Sequence, residues 1–241
     1  MPRFYCPFPL IAGSTVTLPA ETARHVQVLR LATGDALTLF DGTGGEYAAR
    51  MSHIGKKTVD AEILTFAPRE AELPYAITLA QGLPEASKMD WIVEKAVELG
   101  VAAILPLAAR RSVVKLSGER AEKRLAHWQR TVVAASEQCG RNRLARVEDV
   151  TDFSRWIEQP TDGIRLMLSP RAKMSLSQWV LANPPQAVTF MIGPEGGFAP
   201  EEEDLAISQG ALPLSMGPRV LRTETAGIAA LATLNAVWSE I

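Results

Sequence analysis

The sequence predicts an α/β protein in which a small β-barrel module precedes a parallel-sheet domain. Residues 1 to about 70 carry short β-type runs separated by turn residues. From Pro74 onward strand-like and helix-like runs alternate, the mark of a parallel sheet. Two unusual loops, Ile192-Gly193-Pro194-Glu195-Gly196-Gly197-Phe198 and Leu221-Arg222-Thr223-Glu224-Thr225-Ala226-Gly227, each follow an apolar run that reads as a buried strand. In an open parallel sheet ligands bind in the crevice beyond the carboxyl ends of the strands, so two such loops on neighbouring strand ends suggest one composite pocket.

The first module is expected over residues 1–70, with strands at Val16 to Leu18, Ala36 to Phe40, Tyr47 to Ser52 and Val59 to Phe66. Asp41-Gly42-Thr43-Gly44-Gly45 and His53-Ile54-Gly55-Lys56 supply turn chemistry between the later strands. Ala20 to Leu29 reads as a short helix, and Pro68 to Pro74 as a linker. The second domain is expected over residues 74–241. Its strands fall at Tyr75 to Ala80, Val101 to Leu107, Ile164 to Leu168, Ala187 to Ile192 and Ala211 to Met216. Ser87 and Asp90 resemble a capping box opening a helix that Gly100 ends, with Met89, Ile92, Val93, Ala96 and Val97 at helical spacing. A second helix, about Glu119 to Gln138, places Leu125, Trp128, Val132 and Ala135 on one side and Arg120, Lys123, Arg124, His127 and Arg130 on the other. The last helix, from about Glu224 to Ser239, is apolar enough to serve as a core element or an interface.

The loops constrain the ligand. Pro200 suits the first position of a helix and is followed by Glu201, Glu202, Glu203 and Asp204, with Glu195 inside the loop itself. That charge complements the helix dipole and would repel a pyrophosphate. The loop also lacks the glycine spacing of dinucleotide and P-loop sites. A ligand without phosphates fits better, and a glycine-rich turn capped by a helix fits the first loop equally well. In the second loop Thr223 is a candidate N-cap, with Glu224 in the first turn. Arg222 is a candidate site residue because strand-end loops carry chemistry disproportionately.

Composition bounds the rest. Hydrophobic residues make up 47% and charged residues 22%, which is ordinary for a soluble globular chain. Cys6 and Cys139 are too few for a disulfide framework, and His25, His53 and His127 are scattered, so no metal site is expected. No leader pattern opens the sequence and no apolar run reaches transmembrane length, so a cytoplasmic location is expected. Net charge is −2, yet residues 110–146 hold ten Lys/Arg against three acids, or +7, leaving about −9 elsewhere. Such asymmetry fits a phosphate-binding face, and equally a solvated basic helix.

Residues 192–198, Met216-Gly217 and 221–226 together resemble the cofactor loops of the SPOUT methyltransferases, in particular the branch that forms N3-methyluridine in small-subunit ribosomal RNA. The resemblance extends to Arg3-Phe4, His25-Val26 with Val28-Leu29-Arg30, Gly34-Asp35, Lys88 with Asp90, Lys95 with Glu98-Leu99-Gly100-Val101, and Glu137-Gln138 with Arg141. Cys139 stands where the family carries a small residue such as serine, and Met216 where leucine is commoner. The resemblance implies a PUA-like first domain, a trefoil-knotted second domain, a homodimer, and S-adenosylmethionine as methyl donor. It places the donor against Leu168, Ser169, Ile192, Gly193, Pro194, Gly196, Gly197, Met216, Gly217, Leu221, Thr223, Thr225 and Ala226. Arg222, Glu195 and Glu224 become the catalytic candidates, the cation to favour a deprotonated uracil imide and the carboxylates as bases. Arg3, Arg110, Arg111, Arg120, Lys123, Arg124 and Arg141 are the candidates for RNA phosphate contacts. A noncatalytic RNA-binding or ribosome-assembly protein and a nucleotide-dependent oxidoreductase are the alternatives, the latter disfavoured by the acidic loop.

Overall fold

The structure is a computed structural model and describes residues 1–55, 58–161 and 163–238. Lys56 of the second predicted turn and Ser239 of the last predicted helix lie outside the described residues. The chain divides into two compact units: Met1–Glu72 with Val133–Leu144, and Leu73–Val132 with the chain from Ala145 onward.

The first unit contains β1 (Arg3–Tyr5), β2 (Thr15–Thr17), α1 (Ala20–Val28), β3 (Ala36–Phe40), β4 (Glu46–Ile54) and β5 (Val59–Ala67). They form a five-stranded mixed sheet in the order β1-β3-β4-β5-β2. In β5 the alternation of Val59, Ala61 and Ile63 turns one face into the core, where they join Val26, Leu37, Leu39 and Met51. Two register shifts between β4 and β5, at Ala48/Ala49 and Met51/His53, bend these long strands. Burial pushes the Cys6 thiol up to about 12, so it behaves as a small apolar group. β1 is too short for its periodicity to show in the sequence.

Residues 133–144, expected in the second domain, belong to this first unit, and polar contacts explain why. The Glu137 carboxylate accepts the Tyr5 N–H at 2.9 Å. Arg141 is 3% exposed, and its guanidinium donates through Nε and Nη2 to Glu72. Asn142 accepts from Arg3 and donates to the Arg69 carbonyl. Arg141 and Arg3 are therefore engaged inside the unit, and the phosphate-contact role expected of Arg141 is corrected to that of a brace. Breaking such a pair leaves a desolvated charge without its partner, which is why buried pairs resist substitution.

Glu46 shows the same logic at the surface of the unit. Hydrogen bonding from Arg69 first, and from Arg3, outweighs desolvation and lowers its carboxyl to about 2. A depressed carboxyl stabilises the fold above its ordinary value of 4.5 and loses that contribution as pH falls through about 2. Glu46→Gln should therefore lower the denaturant midpoint at neutral pH, and its deficit against the parent should shrink as pH falls from 4.5 towards 2. A deficit that stays constant over that window would refute the assignment.

The second unit carries β6 (Ile77–Gly82), α2 (Ala86–Glu98), β7 (Ala103–Ala108), α3 (Gly118–Cys139), β8 (Arg146–Val147), β9 (Thr151–Asp152) and α4 (Phe153–Ile157). It continues with β10 (Ile164–Leu168), α5 (Leu176–Ala182), β11 (Val188–Ile192), α6 (Pro200–Ser208), β12 (Leu212–Leu214) and α7 (Thr223–Trp238). The end of α3, from Val133, falls in the first unit. Strand order is β12-β10-β11-β6-β7-β8 with β9 on β7, and every pairing is parallel. Strand β11 is buried at all five positions, as a strand covered on both faces must be.

Two local expectations, the capping box of α2 and the width of the basic side of α3, are corrected. Helix α2 begins at Ala86 with Glu85 as N-cap and no side-chain cap, because Asp90 is engaged elsewhere. Its two oxygens accept from the Trp128 indole at 3.0 Å and meet His127 at 3.1 Å, with Arg124 at 3.9 Å. His127 thus faces α2, so the basic side of α3 is narrower than its helical spacing implied. Helix α7 is a core helix: Leu231, Leu234 and Trp238 are buried, and the Trp238 indole donates to the Val180 and Asn183 carbonyls.

Candidate active site

The carboxyl ends of β10, β11 and β12 open into a cavity of about 290 Å³, close to the lower end of the ~300–1,000 Å³ usual for small-molecule sites. The expected neighbours β11 and β12 are not adjacent, because β10 lies between them. The segment after β10 therefore fills the gap, and Leu168 and Ser169 line the cavity with Pro170 and Arg171. Ile192, Gly193, Pro194, Glu195, Gly196, Gly197 and Phe198 form one wall, and Met216, Leu221, Thr223 and Ala226 another.

The wall after β11 is held by close backbone approaches. The Gly197 N–H donates to the Pro194 carbonyl at 2.8 Å, closing a tight turn. A Cβ on Gly193 would lie 2.7 Å from the Phe198 nitrogen, and one on Gly82 would lie 2.6 Å from Pro194 Cδ. Both positions therefore require glycine for space. Thr223 is the first residue of α7 and does not cap it; Arg222 holds the cap position, its carbonyl accepting from Thr225 and Ala226. The Thr223 hydroxyl instead donates to the Gly193 carbonyl at 2.6 Å and accepts from the buried Gln81 amide at 2.9 Å. One hydroxyl thus ties β6, the β11 loop and α7 together.

Charges around the loop are mostly paired. Glu195 accepts from Lys88 at 2.7 Å and from the Glu85 N–H at 3.0 Å. Burial alone would raise the Glu195 carboxyl, but Lys88 and the backbone N–H groups outweigh it and hold it below its usual range. The acidic start of α6 is also engaged. Glu201 pairs with Arg110, Glu202 accepts from the Ala199 and Arg110 N–H groups, and Glu203 pairs with Arg171. That run of acids fastens neighbouring segments and is not laid out to receive a cationic ligand.

Of the expected donor-binding residues, Gly217 and Thr225 do not line the cavity, nor do the catalytic candidates Arg222 and Glu224. Arg222 is exposed at the start of α7. Among the described residues Glu224 has an oxygen, Oε2, that is buried and accepts no hydrogen bond. Arg111, expected on RNA, lines the cavity and donates to the Gly196 and Phe198 carbonyls. Arg110 is exposed beside Glu201, Lys123 pairs with Glu119, and Arg120 is exposed. The lining also contains Pro170, Arg171, Phe198, Glu203, Arg219 and Val220, which the sequence pattern does not mark as site residues, nor does it mark the Gln81 tie. Arg219 and Val220 lie between Met216-Gly217 and the segment 221–226, and Gln81 at a strand end, so position is the available signal. Among the described residues no group of three or more His, Cys, Asp or Glu could hold a metal ion.

Thr223→Val keeps the shape of the side chain but leaves a buried amide and the Gly193 carbonyl without their partner. It should cost about 1–3 kcal/mol and speed amide hydrogen exchange at Gly196 and Gly197, whereas unchanged exchange would show that the hydroxyl does not hold the loop.

Comparison with known proteins agrees with this architecture. The RNA methyltransferase domain family matches residues 71–235, and the RNA methyltransferase PUA domain family matches residues 18–64. Ribosomal RNA small subunit methyltransferase E of Bacillus subtilis is 31% identical, over 92% of this chain and 90% of its own. The Synechocystis protein of that name is 35% identical, over 94% of this chain and 75% of its own. The crystal structure of the Neisseria gonorrhoeae protein of that name, bound to S-adenosyl methionine, is 39% identical with a TM-score of 0.91, covering 99% of this chain and 98% of its own. Family match, identity and shared fold lead to one conclusion: this chain belongs to the RNA methyltransferase family, in the group of ribosomal RNA small subunit methyltransferase E.

Proposed function

We propose that this protein transfers the methyl group of S-adenosylmethionine to N3 of a uridine in small-subunit ribosomal RNA. The observation that carries the reading is the cavity built from three strand ends, in a chain that aligns over 99% of its length with a protein crystallised with S-adenosyl methionine. The lining fits that donor. Leu168, Ile192, Met216 and Leu221 offer apolar surface for an adenine, and the Gly193 to Gly197 backbone offers donors and acceptors at close range. Glu195 is the carboxylate of the loop and suits a cation better than a phosphate. When bound, the donor supplies an electrophilic methyl on a cationic sulfur.

The chain's own residues would handle the proton. Uridine N3 is a poor nucleophile while protonated, and a nearby cation favours the imide anion. Arg222, at the cap of α7, is assigned that role. Glu195 is a weak base, because Lys88 and backbone N–H groups stabilise its charged form. Glu224, in the first turn of α7, is the other carboxylate assigned to the N3 proton. The target base must leave its stack to be reached, and Arg110, Arg120, Lys123 and Arg124 are assigned to phosphates around it. Working as a homodimer in the cytoplasm completes the reading. No helix among the described residues is long and apolar enough to cross a membrane.

Methyl transfer to small ribosomal particles from cells lacking the protein, followed by nucleoside analysis, tests the whole reading. N3-methyluridine is the expected product; no transfer at all would favour a noncatalytic RNA-binding protein. Arg222→Ala should cut turnover at least about 100-fold, as loss of a group that stabilises developing charge does, while donor binding by calorimetry stays within about two-fold. Neutralising Arg120, Lys123 and Arg124 together should weaken RNA binding and lower its salt slope by roughly 0.7–0.9 for each phosphate no longer neutralised. An unchanged slope would remove that face from the interface.

A further inference from the structure

We infer that Arg111 and Glu202 act as a positioning pair that fixes the shape of the donor-binding loop by clamping it to the turn after β7. The inference rests on the methyl-donor reading of the cavity and adds to it a device on a different strand end. The loop end and the turn meet in both directions. From the turn, one nitrogen of the Arg111 guanidinium, Nη1, donates to the Gly196 carbonyl at 2.8 Å and to the Phe198 carbonyl at 3.3 Å. From the loop side, Glu202 in the first turn of α6 accepts the Arg110 N–H on Oε1 and the Ala199 N–H on Oε2, each at 2.8 Å. Two consecutive residues of one turn thus hold three positions of the loop, 196, 198 and 199, directly or through one carboxylate.

Burial and side-chain chemistry make this more than a surface contact. Glu202 is 8% exposed, and both its oxygens accept from backbone of different segments. A carboxylate can accept at both oxygens, whereas an amide of the same shape presents a donor at one end. The turn itself is held by the Ser112 N–H on the Ala109 carbonyl and by the Ala109 N–H on the Ser112 hydroxyl. The stem of Arg111 runs along Gly196, where a Cβ would lie 3.3 Å from its Cδ. Arg111 is exposed and its partners are carbonyls, so water can replace it without leaving a buried charge. Losing Arg111 should therefore loosen the loop and leave the fold intact. Glu202 does not line the cavity and acts only through Ala199 and Arg110. These two side chains therefore place the loop's backbone groups where a bound donor needs them.

The test compares the full-length parent with Arg111→Met, Arg111→Lys and Glu202→Gln, using S-adenosylmethionine as the calorimetric probe and methyl transfer to small ribosomal particles as the assay. Arg111→Met should weaken donor binding about ten-fold or more, the scale of one or two hydrogen bonds from a charged donor. It should raise KM for the donor more than it lowers kcat, and leave KM for RNA unchanged. Arg111→Lys, which retains a donor, should recover part of the affinity. Glu202→Gln should weaken donor binding in the same direction from outside the cavity, and if it fails to fold the two Arg111 variants decide the matter. A parent that binds no S-adenosylmethionine would overturn the donor reading and this inference with it. Parent binding with unchanged donor affinity in Arg111→Met would overturn the inference alone. A rise in KM for RNA without any change in donor affinity would return Arg111 to a phosphate-contact role.

Discussion

The tie on which the site depends is the Thr223 hydroxyl, which donates to the Gly193 carbonyl and accepts from Gln81. β12 and α7 are joined by a long irregular segment, and β11 by a glycine-rich one. Without a fixed point between them neither segment has a defined position relative to the other. The hydroxyl supplies that point at the first residue of α7, where a side chain is free to turn away from the helix and toward the sheet. Glycine at positions 82 and 193 then lets the backbones approach within the distances at which any side chain would collide. A buried polar link of this kind works only when its members are nearly all satisfied, and here only Gln81 Oε1 has no partner among the described residues.

The surrounding charges act chiefly as fasteners. Each of the three successive glutamates at the start of α6 reaches a different partner: Arg110, backbone N–H groups, and Arg171. Lys88 fixes Glu195, which in turn accepts the Glu85 N–H. Much of what looks in the sequence like electrostatic preparation for a ligand therefore serves to hold loop geometry.

Much of the architecture was legible in the sequence because it follows from local rules. The parallel strands of the second unit show as apolar runs followed by glycine or charged loops, and α2 shows through the spacing of Met89, Ile92, Val93 and Ala96. What escaped depends on distant contacts. β8 and β9 are two residues long and exist only because β7 pairs with them. Asp90 sits where a helix cap would, but the Trp128 indole claims it. Arg111 and Arg141 look like any other members of a basic stretch, and only their partners, two carbonyls and the half-buried Glu72 carboxylate, separate them from phosphate ligands. The strand order that inserts β10 between β11 and β12 was equally hidden, since nothing along the chain records which strands lie side by side.

The N-terminal unit is assembled from two stretches of chain separated by sixty residues, from Leu73 to Val132, that belong to the other unit. Its β1 amide at Tyr5 and its carboxylate at Glu72 are satisfied only when the second stretch returns. No single cut can therefore release it as an intact module: a fragment ending near the apparent linker would strand a charge and an open strand edge. The return of residues 133–144 is thus part of the folded unit and not an appendage to it.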